Sequence, residues 1–310
     1  MPFTSQISIV AFESKSFIFG VILNKPSRKN YGKGTLANLK RVLFSYQTSL
    51  LKNAPIKIHL DKKDYEIKTN DKGAFDLEIN YSIKSEPEIG LLFQNNKVEI
   101  QQEYPIFFKN SKSKIGIISD IDDTILVSHT SNIIKRIGVL SLVPPKKRKT
   151  IEFTQELLSF VNLYKSNVYY VSKSESNLFE ILSSFIIYNE LPTGALFLTP
   201  YLSFKELVKR KKGKDFKINN IQFILKNSPE KKFILFGDDT QKDMEVHRII
   251  ANAYPNNIAR IYIRQTKKKI NNRKQILWNK LKEVFPDSVY FNEQTDAKVE
   301  LKVLKKLLQT

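Results

Sequence analysis

Near residue 111 the sequence changes its period, and that change restricts the fold more than any other feature. Before it, apolar residues come in short runs: Ile7-Ser8-Ile9-Val10, Phe17-Ile18-Phe19, Ile56-Lys57-Ile58-His59-Leu60 and Phe75-Asp76-Leu77-Glu78-Ile79. The last two alternate apolar with polar side chains, as half-buried antiparallel strands do. Asn70-Asp71-Lys72-Gly73 supplies turn chemistry between two of them. A smaller β-rich, sandwich-like domain is expected over residues 1–110, with nothing catalytic in it. From Ser111 onward, apolar runs alternate with longer segments of helical period, the pattern of a parallel sheet covered by helices. The expected strands are Ile115–Ser119, Val168–Val171, Ala195–Leu198, Phe233–Phe236 and Ile261–Ile263. Helices are expected near 151–165, 175–188, 217–227, 239–252, 272–284 and 296–308. The fold class is α/β: a doubly wound parallel sheet over 111–310 behind the β-rich domain, with the boundary in polar Asn110–Lys114.

Ligands of an open parallel sheet bind outside the carboxyl ends of its strands. The first of these strands runs into Asp120-Ile121-Asp122-Asp123-Thr124, the second into Ser172, and the fourth into Gly237-Asp238-Asp239 with Asp243 beyond. Lys217 opens the helix before the fourth strand. Asp120 and Asp122 point the same way if the segment is extended, and paired carboxylates repel unless a cation lies between them. Adding Asp238 and Asp243 makes an oxygen-rich set suited to Mg²⁺. A carboxylate nucleophile there can form an acyl phosphate, while Ser172 and Lys217 hold the other phosphoryl oxygens. Taken singly, Asp238 reads as a helix cap and Gly237-Asp238 as a turn. Asp123 belongs to that structural class. Thr124, grouped with the phosphate-side residues, is expected to fix the loop by hydrogen bonding.

Composition removes competing chemistries. The chain has no cysteine, which excludes disulfides and thiolate sites, and its three histidines (His59, His129, His247) make a histidine zinc site a poor expectation. Met1 to Gly20 lacks the basic leading region of a signal peptide, and no apolar stretch reaches bilayer-spanning length, so a cytoplasmic protein is expected, with peripheral membrane contact left open. A net charge of +20 attracts phosphate-bearing partners, though its lysine-rich origin can equally reflect composition bias.

Asp120-x-Asp122-x-Thr124, Ser172, Lys217 and Gly237-Asp238-x₄-Asp243 resemble, in order, the four motifs of the haloacid dehalogenase superfamily. The resemblance implies an HAD-like fold with Asp120 as nucleophile and Asp122 as general acid and base. It also implies Ser172 and Lys217 on the phosphoryl group, and Mg²⁺ held by Asp120, Asp238, Asp243 and the backbone carbonyl of Asp122. Narrower strings, Ser172-Lys173-Ser174-x₂-Asn177-Leu178, Leu191-Pro192-x-Gly194 and Ala259-Arg260-Ile261-Tyr262-Ile263-Arg264, look like the App1-type phosphatidate phosphatase catalytic domain. That likeness covers about residues 114–266. Glu175, Ser176 and Asp239 depart from the family pattern at positions expected beside the substrate.

A phosphatidate-like lipid is the substrate this implies; a soluble phosphorylated metabolite or a nucleic-acid terminal phosphate keeps the chemistry and changes the substrate. A basic binding module with little turnover is the reading from another class. Two basic segments bear on it. Asn132–Leu140 with Leu142–Lys149 pairs an apolar stripe with a cation cluster, as an anionic-lipid interface does. Lys267-Lys268-Lys269, Arg273, Lys274, Lys280 and Lys282 surround Trp278. The plain alternative packs Ile276, Leu277 and Leu281 inward and solvates the lysines. Nucleic acid is not expected, since few aromatics interleave with the cations.

Overall fold

The computed structural model describes residues 3–24, 44–126, 150–202, 215–240, 242–267 and 269–309. The basic stretch 132–149 lies outside the described residues, as does Lys268. The chain divides into two compact units; the first is 1–110 with 175–184 and 200–210, and the second is the remainder.

The first unit is one sheet. Its strands are β1 (Thr4–Ala11), β2 (Ser16–Leu23), β3 (Pro55–Leu60), β4 (Lys63–Lys68), β5 (Ala74–Ile79), β6 (Ile89–Phe93), β7 (Asn96–Ile100) and β8 (Phe107–Phe108). They run in the order β4-β3-β6-β7-β1-β2-β5, with β8 also on β1. β1 explains why no two-layered sandwich forms. One edge pairs antiparallel with β2, and the other takes β7 at Thr4–Ser5 and β8 at Ile9–Val10, both parallel. Its residues therefore join two sets of hairpins into a continuous sheet, and the end strands β4 and β5 come into contact. The nearly closed sheet wraps a core that includes Ile7, Ile9, Ile18, Ile58, Leu91 and Val98. The expected turn is present between β4 and β5: Asn70 Oδ1 accepts from the amides of Lys72 and Ala74, and Gly73 takes a φ of +65°.

Residues from beyond 110 complete this unit. The Asn177 amide donates to the carbonyls of Ser45 (2.8 Å) and Leu202 (3.1 Å) and accepts from Leu202 N. Tyr201 donates its hydroxyl to Gln6 Oε1 at 2.7 Å, and Tyr46 to Glu175 Oε2 at 3.3 Å. Glu175, a departure from the family pattern, is thus a buried acceptor for a tyrosine of the β-rich unit.

The second unit is a six-stranded parallel sheet with helices. Its strands are β9 (Ile115–Ser119), β10 (Val168–Glu175), β11 (Ala195–Thr199), β12 (Lys232–Asp238), β13 (Ile258–Arg264) and β14 (Ser288–Phe291). Its helices are α1 (Glu152–Asn162), the latter part of α2 (Phe179–Tyr188, assigned to the first unit as far as Ser184), α3 (Asp215–Lys226), α4 (Asp243–Ala253), α5 (Asn272–Val284) and α6 (Lys298–Gln309). All of β9, and β12 from Phe233 onward, are buried, as parallel strands covered on both faces require. The strand order is β11-β10-β9-β12-β13-β14. The chain therefore starts at the sheet's centre, moves outward through β10 and β11, and returns to the other side of β9 at β12. Such a reversal opens a crevice at the carboxyl ends of the central strands.

β9 and α5 form over the expected residues. β10 continues to Glu175, four residues beyond the expected end, because parallel pairing tolerates Ser172-Lys173-Ser174 where hydrophobicity alone suggests a stop. α4 begins at Asp243 rather than near 239, since Asp238 to Thr240 form a bonded turn. β14 was not expected; Val289-Tyr290-Phe291 after Pro286-Asp287 is its only sequence signal.

Gly194 permits the close approach of the β11 lead-in to β10: a Cβ there would lie 2.2 Å from the Val168 carbonyl oxygen. Gly194→Ala is expected to cost about 1–3 kcal/mol, as overpacking does. Urea denaturation measures it, and an unchanged midpoint would show that the backbone shifts freely.

Candidate functional site

The carboxyl ends of β9, β10 and β12 each deliver polar side chains, and the sheet holds them in register. Asp120 N donates to the Phe236 carbonyl at 3.0 Å, so the first residue past β9 stays tied to β12. Three carboxylates, Asp120, Asp238 and Asp243, offer oxygens within 4.8 Å of one another, all buried. Gly237 lets α4 reach this point: a Cβ there would lie 2.7 Å from that of Asp243 and 2.8 Å from the His247 ring.

Lys217, in the first turn of α3, lies among them. Its ammonium donates to Asp243 Oδ1 at 2.5 Å and stands 3.1 Å from Asp120 Oδ1, and it is 2 % exposed. Burial raises the Asp120 carboxyl to about 7; Lys217 opposes this, while Asp243 and Asp122 add to it. Burial and the neighbouring Asp243 and Asp120 hold Asp238 well above the usual carboxylate range. For Asp243, burial acts upward but the Lys217 ammonium outweighs it, leaving it below that range. Burial acts to lower Lys217, and the acids outweigh it and hold its proton more tightly. His247, one turn beyond Asp243, is pushed down to about 4 by burial and is neutral, with Nδ1 unpartnered among the described residues. A buried cluster of three acids with one cation cannot ionise fully without excess negative charge, and its all-oxygen donor set fits a hard divalent ion.

The Asp122 carboxylate is turned elsewhere. Its Oδ2 accepts from Ser174 Oγ at 2.5 Å and lies 3.5 Å from Ser172 Oγ, which itself accepts from Ser174 N. Asp120 and Asp122 thus do not share one set of partners, because the loop leaves the extended path at once: Asp123 has a φ of +56°. Arg264, buried at the end of β13, donates Nη1 to the Asp123 carbonyl at 2.9 Å and holds that turn. The Thr124 hydroxyl is buried and has no hydrogen-bond partner among the described residues, so none of these ties the loop through it as expected. Asp238 makes the turn that capping logic anticipates, accepting from Thr240 N and Oγ1, while also belonging to the acid cluster.

Sequence reasoning missed Ser174 and Arg264 as site-shaping residues. Ser174 was legible from the alternation that places it beside Ser172 on one face of β10; Arg264 had no local signal. Asp239 is committed to structure, accepting from Thr266 N and Oγ1, from Tyr290 at 2.7 Å and from Lys274 at 2.8 Å. α5 behaves largely as the plain alternative holds. Trp278 stacks on Tyr290 at 5.0 Å, Lys282 lies over Trp278, and Leu281 is buried; Ile276, expected inward, is 55 % exposed. Among the described residues no helix is long and apolar enough to cross a membrane.

Residues 115–265 match the family described as phosphatidate phosphatase APP1, catalytic domain. Phosphatidate phosphatase APP1 of Saccharomyces cerevisiae is 35 % identical over 164 residues, 48 % of this chain and 26 % of its own. An uncharacterised protein of Schizosaccharomyces pombe is 24 % identical over 164 residues, 52 % of this chain and 26 % of its own. The chain spans about a quarter of the length of these relatives. Among solved structures, a chain of the Pnkp1/Rnl/Hen1 complex aligns over 53 % of this chain and 51 % of its own, at 12 % identity and a TM-score of 0.34, too low to carry an argument.

Relieving the charge crowding has a measurable effect. Asp238→Asn keeps the oxygen that Thr240 uses and removes a carboxyl whose ionisation the folded state opposes. In EDTA it is expected to melt above the wild type, by about 2–4 °C for each kcal/mol relieved. Mg²⁺ should then raise the wild-type melting temperature more than the variant's. Equal response to Mg²⁺ would show that the cluster holds no cation.

Proposed function

From the membership of residues 115–265 in the phosphatidate phosphatase APP1 catalytic-domain family, we propose that this chain is a Mg²⁺-dependent phosphomonoester hydrolase acting on a phosphatidate-like lipid. The observation that carries the reading is the buried group of Asp120, Asp238 and Asp243 around Lys217 at one sheet edge. The β11-β10-β9-β12-β13-β14 order supports an HAD-like, doubly wound assignment.

Each side chain has a role consistent with its place. The ionised Asp120 carboxylate attacks phosphorus, forming a P–O bond to Asp120 as the bond to the lipid alkoxide breaks. Asp122 gives its proton to the departing oxygen, then removes one from the water that splits the aspartyl-phosphate into orthophosphate and free Asp120. The hydroxyl of Ser174 on Asp122 Oδ2 keeps that carboxyl oriented for both transfers. Lys217 stabilises the nucleophile's ionised form and neutralises a phosphoryl oxygen, and Ser172 donates to another. Asp120, Asp238 and Asp243 would hold Mg²⁺, with the Asp122 carbonyl as the further ligand the family resemblance assigns. The ion, when bound, offsets the repulsion between carboxylate and phosphate and polarises the phosphoryl group. The net charge of +20 favours encounter with an anionic lipid surface.

The test is phosphate release from short-chain phosphatidate and from p-nitrophenyl phosphate, in Mg²⁺ and in EDTA, by the wild type and Asp120→Asn. Release from both substrates, dependent on Mg²⁺ and lost by at least about 10³-fold in the variant, is the expected result. Turnover of p-nitrophenyl phosphate alone discards the lipid and keeps the phosphatase. No turnover by folded, Mg²⁺-binding protein leaves the binding-module reading.

A further inference from the structure

Lys173 lies between the two serines that face Asp122, and alternation along β10 puts its side chain on the opposite face of the strand. It is only 4 % exposed. Yet its ammonium makes no hydrogen bond and no ion pair with the described residues, whereas Lys217 is engaged by two acids. An ammonium held largely out of water, with no partner among the described residues, carries a desolvation cost. A fold retains such a group where an anion visits it. Its position at the carboxyl end of β10, between two serines that contact Asp122, places it at the edge where the acids gather, and the charges of Lys217, Asp243, Asp120 and Asp238 act on it. Lys217 is the strongest of these after burial, and together burial and this like charge hold Lys173 below the usual lysine range. Two ammoniums that face one another's charge in a buried site are relieved by an anion that both can reach.

We propose that Lys173 is a second phosphate-binding cation of the site, contacting the phosphoryl group of a dianionic phosphomonoester together with Lys217. This rests on the hydrolase reading above and deepens it. Lys217 shares its charge with Asp120 and Asp243, and among the described residues Lys173 adds a second positive charge for the incoming dianion. The proton stays on Lys173 throughout, and no bond is made or broken there; its contribution is electrostatic and positional.

The inference is separable from the activity. Lys173→Met removes the charge and keeps the length of the side chain. With Mg²⁺ present, orthophosphate should raise the wild-type melting temperature and leave the variant's nearly unmoved. The inhibition constant for orthophosphate and KM for p-nitrophenyl phosphate should both rise roughly ten- to hundredfold, the loss expected for one charge-assisted contact. In EDTA without phosphate, the variant should be at least as stable as the wild type, because an unpartnered buried charge has gone. Unchanged phosphate affinity in a folded variant overturns the proposal. So does loss of folding in both Lys173→Met and Lys173→Gln, which would mean the ammonium has a structural partner. Failure of the wild type to turn over p-nitrophenyl phosphate would sink the hydrolase reading. The orthophosphate melting shift would still decide the role of Lys173.

Discussion

Lys217 sits between Asp120 and Asp243 in a space that excludes water, and the geometry of the whole edge follows from that contact. Three acidic side chains, Asp120, Asp238 and Asp243, converge there from β9, β12 and α4, while Asp122 turns to the serines of β10, and each is nearly or wholly enclosed. Like charges at such range in low dielectric oppose folding. One ammonium from α3 offsets part of this, the serine hydroxyls of β10 take up Asp122, and Thr240 takes up an oxygen of Asp238. What remains is a set of carboxyls that cannot all ionise unless a further cation joins them. That is an unfavourable arrangement for stability and a suitable one for capturing a divalent cation, a common tension in active sites.

The scaffold around this edge is correspondingly overdetermined. Arg264 donates to the Asp123 carbonyl and accepts, through its own carbonyl, from Asp239 N. It therefore joins the turn after β9 to the turn after β12. Asp239 then extends the link to Thr266, Tyr290 and Lys274, which brings β14 and α5 into the support of the same two turns. Residues that hydrophobic pattern alone would class as surface polar are consumed in holding the acids' backbone in place.

How much of this could be read in advance depends on the range over which each interaction acts. β9, the acids after it and the Gly237-Asp238 turn were legible because strand burial and turn chemistry are local. The clustering of Asp120 with Asp243, and their shared lysine, was legible only through motif order, since the residues are far apart in sequence. Arg264, Asp239 and Ser174 act through tertiary contacts with no periodic signature. The β-rich half shows the same division. Its hairpins are written in alternating residues, but whether they stack as two layers or join edge to edge is decided by β1, whose second edge takes two different strands. Nothing local distinguishes those outcomes.

The first unit is not contiguous: Asn177 and Tyr201, which lie within the second half of the sequence, bond to Ser45 and Gln6. A chain emerging from the ribosome can form the hairpins of β1 and β2 early. It cannot complete the unit they belong to until residue 202 has been made. By then β9, β10 and β11 have also appeared, so the two units mature together rather than in succession, although domains are generally expected to fold one after another during synthesis. Until that moment the segment around Ser45 and Tyr46 lacks the partners that enclose it. The N-terminal part is thus tied in time, as well as in sequence, to the part that carries the acid cluster.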